Sequence, residues 1–244
     1  MLRLGYSISP AAYRGRKGAD VLASLQERSS TVSVWNASDY STLWQNTDGT
    51  GAVTGTGEPV GRMEDVGGKN SLNFIAAGTA NRPSSTGGLY FDGVDDRMQA
   101  TFAASGPANA SFVCLYKGSD NVGFLFSRDV TAGYFGFFSG GDNSALVTNS
   151  AGTSPVVKVN GSTVTTRTEL RTAMVAGGAV TITFTGLDLS GWSNIKAGTN
   201  TGNGTFTEGT LIPVALLDGN AADYQDAFGD ATKLATKIAT TLAL

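Results

Sequence analysis

Histidine is absent from the 244 residues. That excludes Ser-His-Asp and Cys-His nucleophile arrangements and any metal site built on imidazole, and it leaves carboxylates as the acid–base groups. Cysteine occurs once, as Cys114 in ASFVCLYK. A lone thiol forms no intramolecular disulfide, so a disulfide-stapled secreted scaffold is excluded, and its neighbours Val113 and Leu115 mark it as a small core residue. Charge is scarce: Asp, Glu, Lys and Arg are 15% of the chain, against about 25% in ordinary proteins. No apolar run approaches the roughly 20 residues of a membrane-spanning helix. Met1–Lys17 lacks the continuous apolar segment of a secretory signal. Synthesis in a cytoplasm, without membrane insertion, is the expectation.

What the chain has in abundance is glycine, 33 residues, interleaved with Thr, Ser and Asn, while hydrophobic residues still make up 41%. That content supports a real core and does not fit disorder, which needs high net charge and few aromatics. The net charge of −3 is unevenly spread. Within 1–30, Arg3, Arg14, Arg16, Lys17 and Arg28 outnumber Asp20 and Glu27, a net of +3 that leaves −6 on the remainder. An acidic body argues against nucleic acid as a partner, because phosphate contacts need Lys and Arg.

From Thr31 onward, short apolar runs alternate with turn residues, and none is long enough for a globular helix. Strands are expected at 32–36, 60–66, 71–75, 88–92, 97–102, 110–117, 122–128, 133–138, 155–160, 168–175, 179–185, 191–196 and 211–217. In 180–185, Val180, Ile182 and Phe184 alternate with Thr181, Thr183 and Thr185, the pattern of a half-buried strand. In 111–116 both faces are apolar, which predicts burial on both sides. About a dozen short strands with no fixed repeat predict an all-β fold of two packed antiparallel sheets, a jelly-roll sandwich over 31–219. Flanking it are a punctuated N-terminal arm, 1–30, with a short helix VLASLQER after Asp20, and a helical segment, 220–244. There Asn220 is read as the cap of AADYQDAF, Gly229 as its stop, and Asp230 as the cap of a second helix with Ala231, Leu234, Ile238 and Leu242 on one face.

The order Ser38-Asp39, Ser41-Thr42-Leu43-Trp44-Gln45, then Gly57-x-Pro-Val-Gly-Arg62-x-x-Asp65, Arg82-Pro83 and Gly88-Leu-Tyr-Phe-Asp-Gly-Val-Asp-Asp96 resembles the concanavalin A-like (laminin G-like) jelly-roll modules of tailed-bacteriophage and prophage structural proteins. The similarity is clearest over 32–98, and LIPVALLD near 211–218 resembles their closing strand, which packs beside the first. The resemblance implies a non-enzymatic virion protein made in the bacterial cytoplasm. It would be tail-associated, at tip or fibre, with a lectin-like sandwich for host-surface or glycan contact and adhesion. It would attach to other virion proteins through the N-terminal arm and C-terminal helix, as a homo-oligomer. The alternatives are a capsid or tail decoration protein that binds only other virion proteins, and a carbohydrate-active enzyme. Some glucanases of this fold carry Glu-x-Asp-x-x-Glu; none of the five Glu here is followed two positions later by Asp. The resembling modules share no catalytic residue, and none is assigned.

Two groups of candidate site residues remain. Trp44, Tyr134 and Trp192, with the run Tyr134-Phe135-Gly136-Phe137-Phe138, offer aromatic faces on which sugars or proteins could stack, provided the rings are exposed. Asp92, Asp95 and Asp96 in FDGVDD could hold Ca²⁺, which takes several carboxylate and carbonyl oxygens. The same residues read more simply as a turn, since Asp-Gly is a strong hairpin signal and Asp side chains bond nearby backbone N–H groups. No other cofactor is implied.

Overall fold

The computed structural model describes residues 21–67, 71–118, 120, 122–128, 133–145, 147–153, 155–176, 178–200, 202–219 and 225–242. In chain order the elements begin with α1 (Val21–Gln26), β1 (Thr31–Val34), β2 (Leu43–Trp44), β3 (Arg62–Met63), β4 (Phe74–Ala76), β5 (Ser84–Ser85), β6 (Leu89–Asp92) and β7 (Met98–Thr101). Next come β8 (Ala110–Lys117), β9 (Val122–Ser127), β10 (Tyr134–Ser139), β11 (Thr148–Asn149), β12 (Val156–Val159) and β13 (Ser162–Val164). The remainder is α2 (Arg167–Val175), β14 (Val180–Leu187), β15 (Asn194–Ala197), β16 (Glu208–Asp218) and α3 (Gln225–Thr241).

The strands form two eight-stranded sheets in which every pairing is antiparallel. The first runs β13-β12-β14-β8-β16-β6-β5, with β1 added on β16; the second runs β11-β10-β9-β15-β7-β4-β3-β2. This is the expected two-sheet sandwich. The eleven residues of β16 serve two neighbours on one edge: Glu208–Leu211 pair with β6, and Ala215–Leu217 pair with β1. The pairing of 211–218 with the first strand is the one anticipated for the closing strand.

Aromatic side chains bridge the sheets. Phe135 on β10 is fully buried, with ring centroids 5.4 Å from Phe112, 4.9 Å from Phe126, 5.1 Å from Phe184 and 5.7 Å from Trp192. Trp35 packs on Phe74 and Phe112, and its indole N–H donates to the Leu72 carbonyl at 2.8 Å. Burial of so polar a ring edge requires such a partner. The loop before β4 is knitted by Asp65, whose carboxylate accepts from the backbone N–H groups of Val34, Gly67 and Leu72.

The all-apolar β8 is buried from Ala110 to Tyr116 because the outer side of the first sheet is covered: α3 lies against β8, β14 and β16. The helix buries Ala227, Ala231, Leu234, Ala235 and Ile238. In turn α1 packs on α3 and β1, with Leu25 fully buried and Arg28 paired to Asp230 at 2.6 Å. Residues 21–30 are thus built into the sandwich rather than forming part of a free arm, and the apolar stripe of the C-terminal helix is spent on its own sheet. Residues 1–20, the proposed cap Asn220 and 221–224 lie outside the described residues.

Three local expectations change. Residues 168–175, read as a strand, form α2, because Thr166 and Glu169 make a reciprocal capping box. Gly229 does not stop a helix: α3 runs through it, and Asp230 bonds Arg28, Ser24 and Lys233 instead of capping. The strands β2, β5, β11 and β13 were not anticipated; the first three have two residues each and the last three.

Candidate functional site on the open sheet

With the outer face of the first sheet under α3, the outer face of the second carries the candidate site. Alternation within each strand decides which residues lie there. Leu43, Met63, Phe74, Ala100 and Ile195 form one row across the pairs and are all buried in the core. The adjacent row therefore faces out: Trp44, Arg62, Ile75, Gln99, Lys196, Ser127, Tyr134 and Asn149, one residue from each of the eight strands.

The middle of this row is covered. The Lys196 ammonium donates to Asn203 Oδ1 at 2.9 Å and the Ser127 hydroxyl to the Thr199 carbonyl at 2.7 Å, both acceptors belonging to the hairpin closed by the Thr199–Phe206 bridge. Two ends remain. At the β2–β7 end a depression of about 370 Å³ is lined by Ser71, Asn73, Ile75, Ala76, Ala77, Gln99 and Thr101. Ile75 is 38% exposed at its floor. Trp44, half-buried, lies two strands away in the same row, beside Arg62, which pairs with Glu64 at 3.5 Å. The Trp44 indole N–H and Arg62 Nε are buried donors without an acceptor among the described residues.

At the β10 end the aromatic run is split by Gly136. Gly136 adopts φ +82°, and it and Phe137 both donate to the Val147 carbonyl, so the strand steps out of alternation. Phe135 and Phe138 enter the core, while Tyr134 and Phe137 stay half-buried. Phe137 stacks on Phe124 at 4.2 Å and 4°. The Arg167 guanidinium, from the start of α2, sits 4.1 Å above the Phe137 ring, pairs with Asp142 and donates to the Tyr134 hydroxyl at 3.0 Å.

Of the three aromatic candidates, Trp44 and Tyr134 share the outward row and Trp192 does not. Trp192 is 1% exposed. Its indole N–H is satisfied by the Ser150 carbonyl at 2.7 Å, and Phe135 and Arg128 flank its ring. Its expected partial exposure is therefore corrected. Arg62, Ile75, Gln99 and Arg167 were not singled out from sequence, because strand register, not residue type, brings them to this face.

Asp92, Asp95 and Asp96 lie at the β6–β7 turn, away from this row, with carboxylate oxygens within 4.8 Å of one another. The turn carries the chain from β6 of the first sheet to β7 of the second, and so is not the hairpin that Asp-Gly suggests: Gly93 has φ +76°, Asp92 Oδ1 accepts from the Val94 and Asp95 N–H groups, and Asp96 Oδ2 accepts from the Asp92 N–H. The geometry is that of a turn, and the three carboxylates are the group through which a Ca²⁺ ion could be held. Burial, then the neighbouring Asp92 and Asp95 charges, pushes the Asp96 carboxyl up to about 6, against the opposing pull of the Asp92 N–H.

Between pH about 4 and 6 the native state thus holds a proton that the unfolded chain has released. The stability linked to protonated Asp96 is complete below that window and is lost as pH rises through 6. Asp96→Asn keeps an acceptor for the Asp92 N–H and removes the charge. It should raise stability at pH 7.5 by about 1–2 kcal/mol and leave it nearly unchanged at pH 4. Urea denaturation at the two pH values checks this; an equal gain at both would show that ionisation is not the cause.

Where shifts are resolved elsewhere, hydrogen bonds hold the Asp48, Glu58, Asp142, Glu169 and Asp188 carboxyls below their ordinary values. A glycosidase acid needs a raised value and a second carboxylate about 5–10 Å away across the sugar. Comparison with protein-family models, with curated proteins and with solved structures finds no match to this chain.

Proposed function

We propose that the chain is a non-enzymatic structural protein of a bacteriophage virion, tail-associated, whose open sheet contacts host-surface glycan. The observation that carries the binding half of this reading is the asymmetry of the sandwich. Helices cover the outer face of the first sheet over β1, β8, β14 and β16, while the second presents Trp44 and Tyr134 in one outward row. Rings that offer a flat apolar face and a polar edge suit such contacts. The virion half rests on the resemblance in 32–98. Attachment to other virion proteins falls to the N-terminal arm, with Arg3, Arg14, Arg16 and Lys17, and to the exposed face of the C-terminal helix, and a symmetric homo-oligomer is the natural state on such a platform.

Gold-labelled antibody against residues 60–100, applied to purified virions, tests the station. Label at the tail end is the expected result. Label over the head or along the tail would replace the adhesion role with decoration, and unlabelled virions would remove the virion assignment.

A further inference from the structure

We infer that the depression on β4 and β7 is a subsite for an uncharged oligosaccharide, bound across the strands toward Trp44. This rests on the glycan reading above and narrows it to a chemical class and a place.

The class follows from the lining. None of the seven residues around the depression carries a charge. Its polar members are two amides, Asn73 and Gln99, and two hydroxyls, Ser71 and Thr101. Asn73 gives its Oδ1 to the Asp65 N–H, which fixes the amide with its NH₂ group as donor. Gln99 donates to the Thr101 hydroxyl at 3.2 Å, which fixes the Gln99 amide with its Oε1 as acceptor. Ile75 and Ala77 give it a small exposed apolar surface, of the kind that receives the C–H face of a pyranose ring while amides and hydroxyls meet its edge. An anionic sugar would meet no compensating cation among these residues, and its desolvation would go unmatched. The cations on either side of it in the row are both engaged, Arg62 with Glu64 at 3.5 Å and Lys196, opposite Gln99, with Asn203 at 2.9 Å.

The direction follows from the register. Gln99, Ile75, Arg62 and Trp44 stand on four adjacent strands, so the row spans three strand spacings, about 14 Å. That is room for a short saccharide chain of about three rings lying perpendicular to the strands. Trp44, at the far end, is the half-buried member of a set whose other two indoles, Trp35 and Trp192, are at most 1% exposed. A ligand that reaches Trp44 therefore changes the intrinsic fluorescence of one tryptophan in three.

The test titrates the full chain with neutral gluco-, manno- and galacto-configured hexasaccharides and with hexagalacturonate. Tryptophan emission and calorimetry are followed at low and high NaCl. The expected result is binding of at least one neutral hexasaccharide with little salt dependence. Ile75→Asp and Gln99→Ala should weaken it at least tenfold, and Val156→Asp, an exposed position on the first sheet, should leave it unchanged. Matching thermal melts for the variants separate lost binding from lost folding. Salt-sensitive binding of hexagalacturonate alone would overturn the uncharged class while leaving the glycan reading standing. Neutral binding that survives Ile75→Asp and Gln99→Ala but fails in Tyr134→Ala would overturn the place and move the site to the β10 end. Binding of no saccharide would overturn both this inference and the glycan reading.

Discussion

Phe135→Ala should destabilise the fold by about 3–5 kcal/mol, the range for emptying a buried phenylalanine site, and lower the melting temperature by about 10 °C. The expectation follows from its place between the sheets. Its ring belongs to β10 of the second sheet, yet it meets Phe112 and Phe184 of the first as well as Phe126 and Trp192. Phe112, Phe126 and Phe184 sit on paired strands of both sheets, so their backbones cannot close on the void independently, and little of the cavity should collapse. Phe137→Ala, two residues on but half-buried, is the control and should cost less than half as much. Urea denaturation of the two variants decides the matter. Equal losses would show that the step at Gly136 does not separate core from surface as described.

Gly198→Ala should cost about 2–5 kcal/mol, from two sources that a second substitution can separate. The residue has φ +81°, where a side chain adds roughly 1–2 kcal/mol. A Cβ there would also stand 2.4 Å from the buried Phe91 ring, an overlap of the kind that costs about 1–3 kcal/mol to relieve. The backbone cannot retreat easily, because the Gly198 N–H donates to the Leu125 carbonyl and the Gly198 carbonyl accepts from Thr207. Gly161, in the β12–β13 turn, has a similar φ of +84° with nothing within 4 Å of the added atom. Gly161→Ala should therefore show the conformational cost alone. If the two variants lose equal stability in urea, the contact with Phe91 contributes nothing.

The parts of the fold that could be read from sequence are those where one strand carries its own signal. β14 alternates because one side meets the core, and β8 is apolar on both sides because a sheet lies inside it and a helix outside. The FDGVDD turn announces itself through Asp-Gly. What could not be read depends on partners distant in sequence. β2, β5 and β11 have two residues each, too few to show a period, and exist only because a neighbour is there to pair with. α2 was missed for a different reason: 168–175 was read as one more short strand, while Thr166-x-x-Glu169, the capping box that sets the helix, is a signal present in the sequence. The site divides the same way. Trp44 and Tyr134 were visible as aromatics, but their common row with Ile75 and Gln99 is a property of register. Trp192 was misplaced because the Ser150 carbonyl that lets its indole be buried lies 42 residues away.

The position of β16 has a kinetic consequence. It is the strand that joins the halves of the first sheet, pairing on one side with β8 and on the other with β6 and β1. Its partners all precede it, and Thr31 waits for Leu217. A nascent chain emerging from the ribosome therefore holds β1, β6 and β8 as strands with open edges until the sequence of β16 arrives. Such long-range closure is slow, on the order of milliseconds to seconds in small all-β domains, and the exposed edges invite association in the interval. High expression yield should accordingly favour low temperature and slow synthesis, with the open first sheet as the surface a chaperone would need to shield.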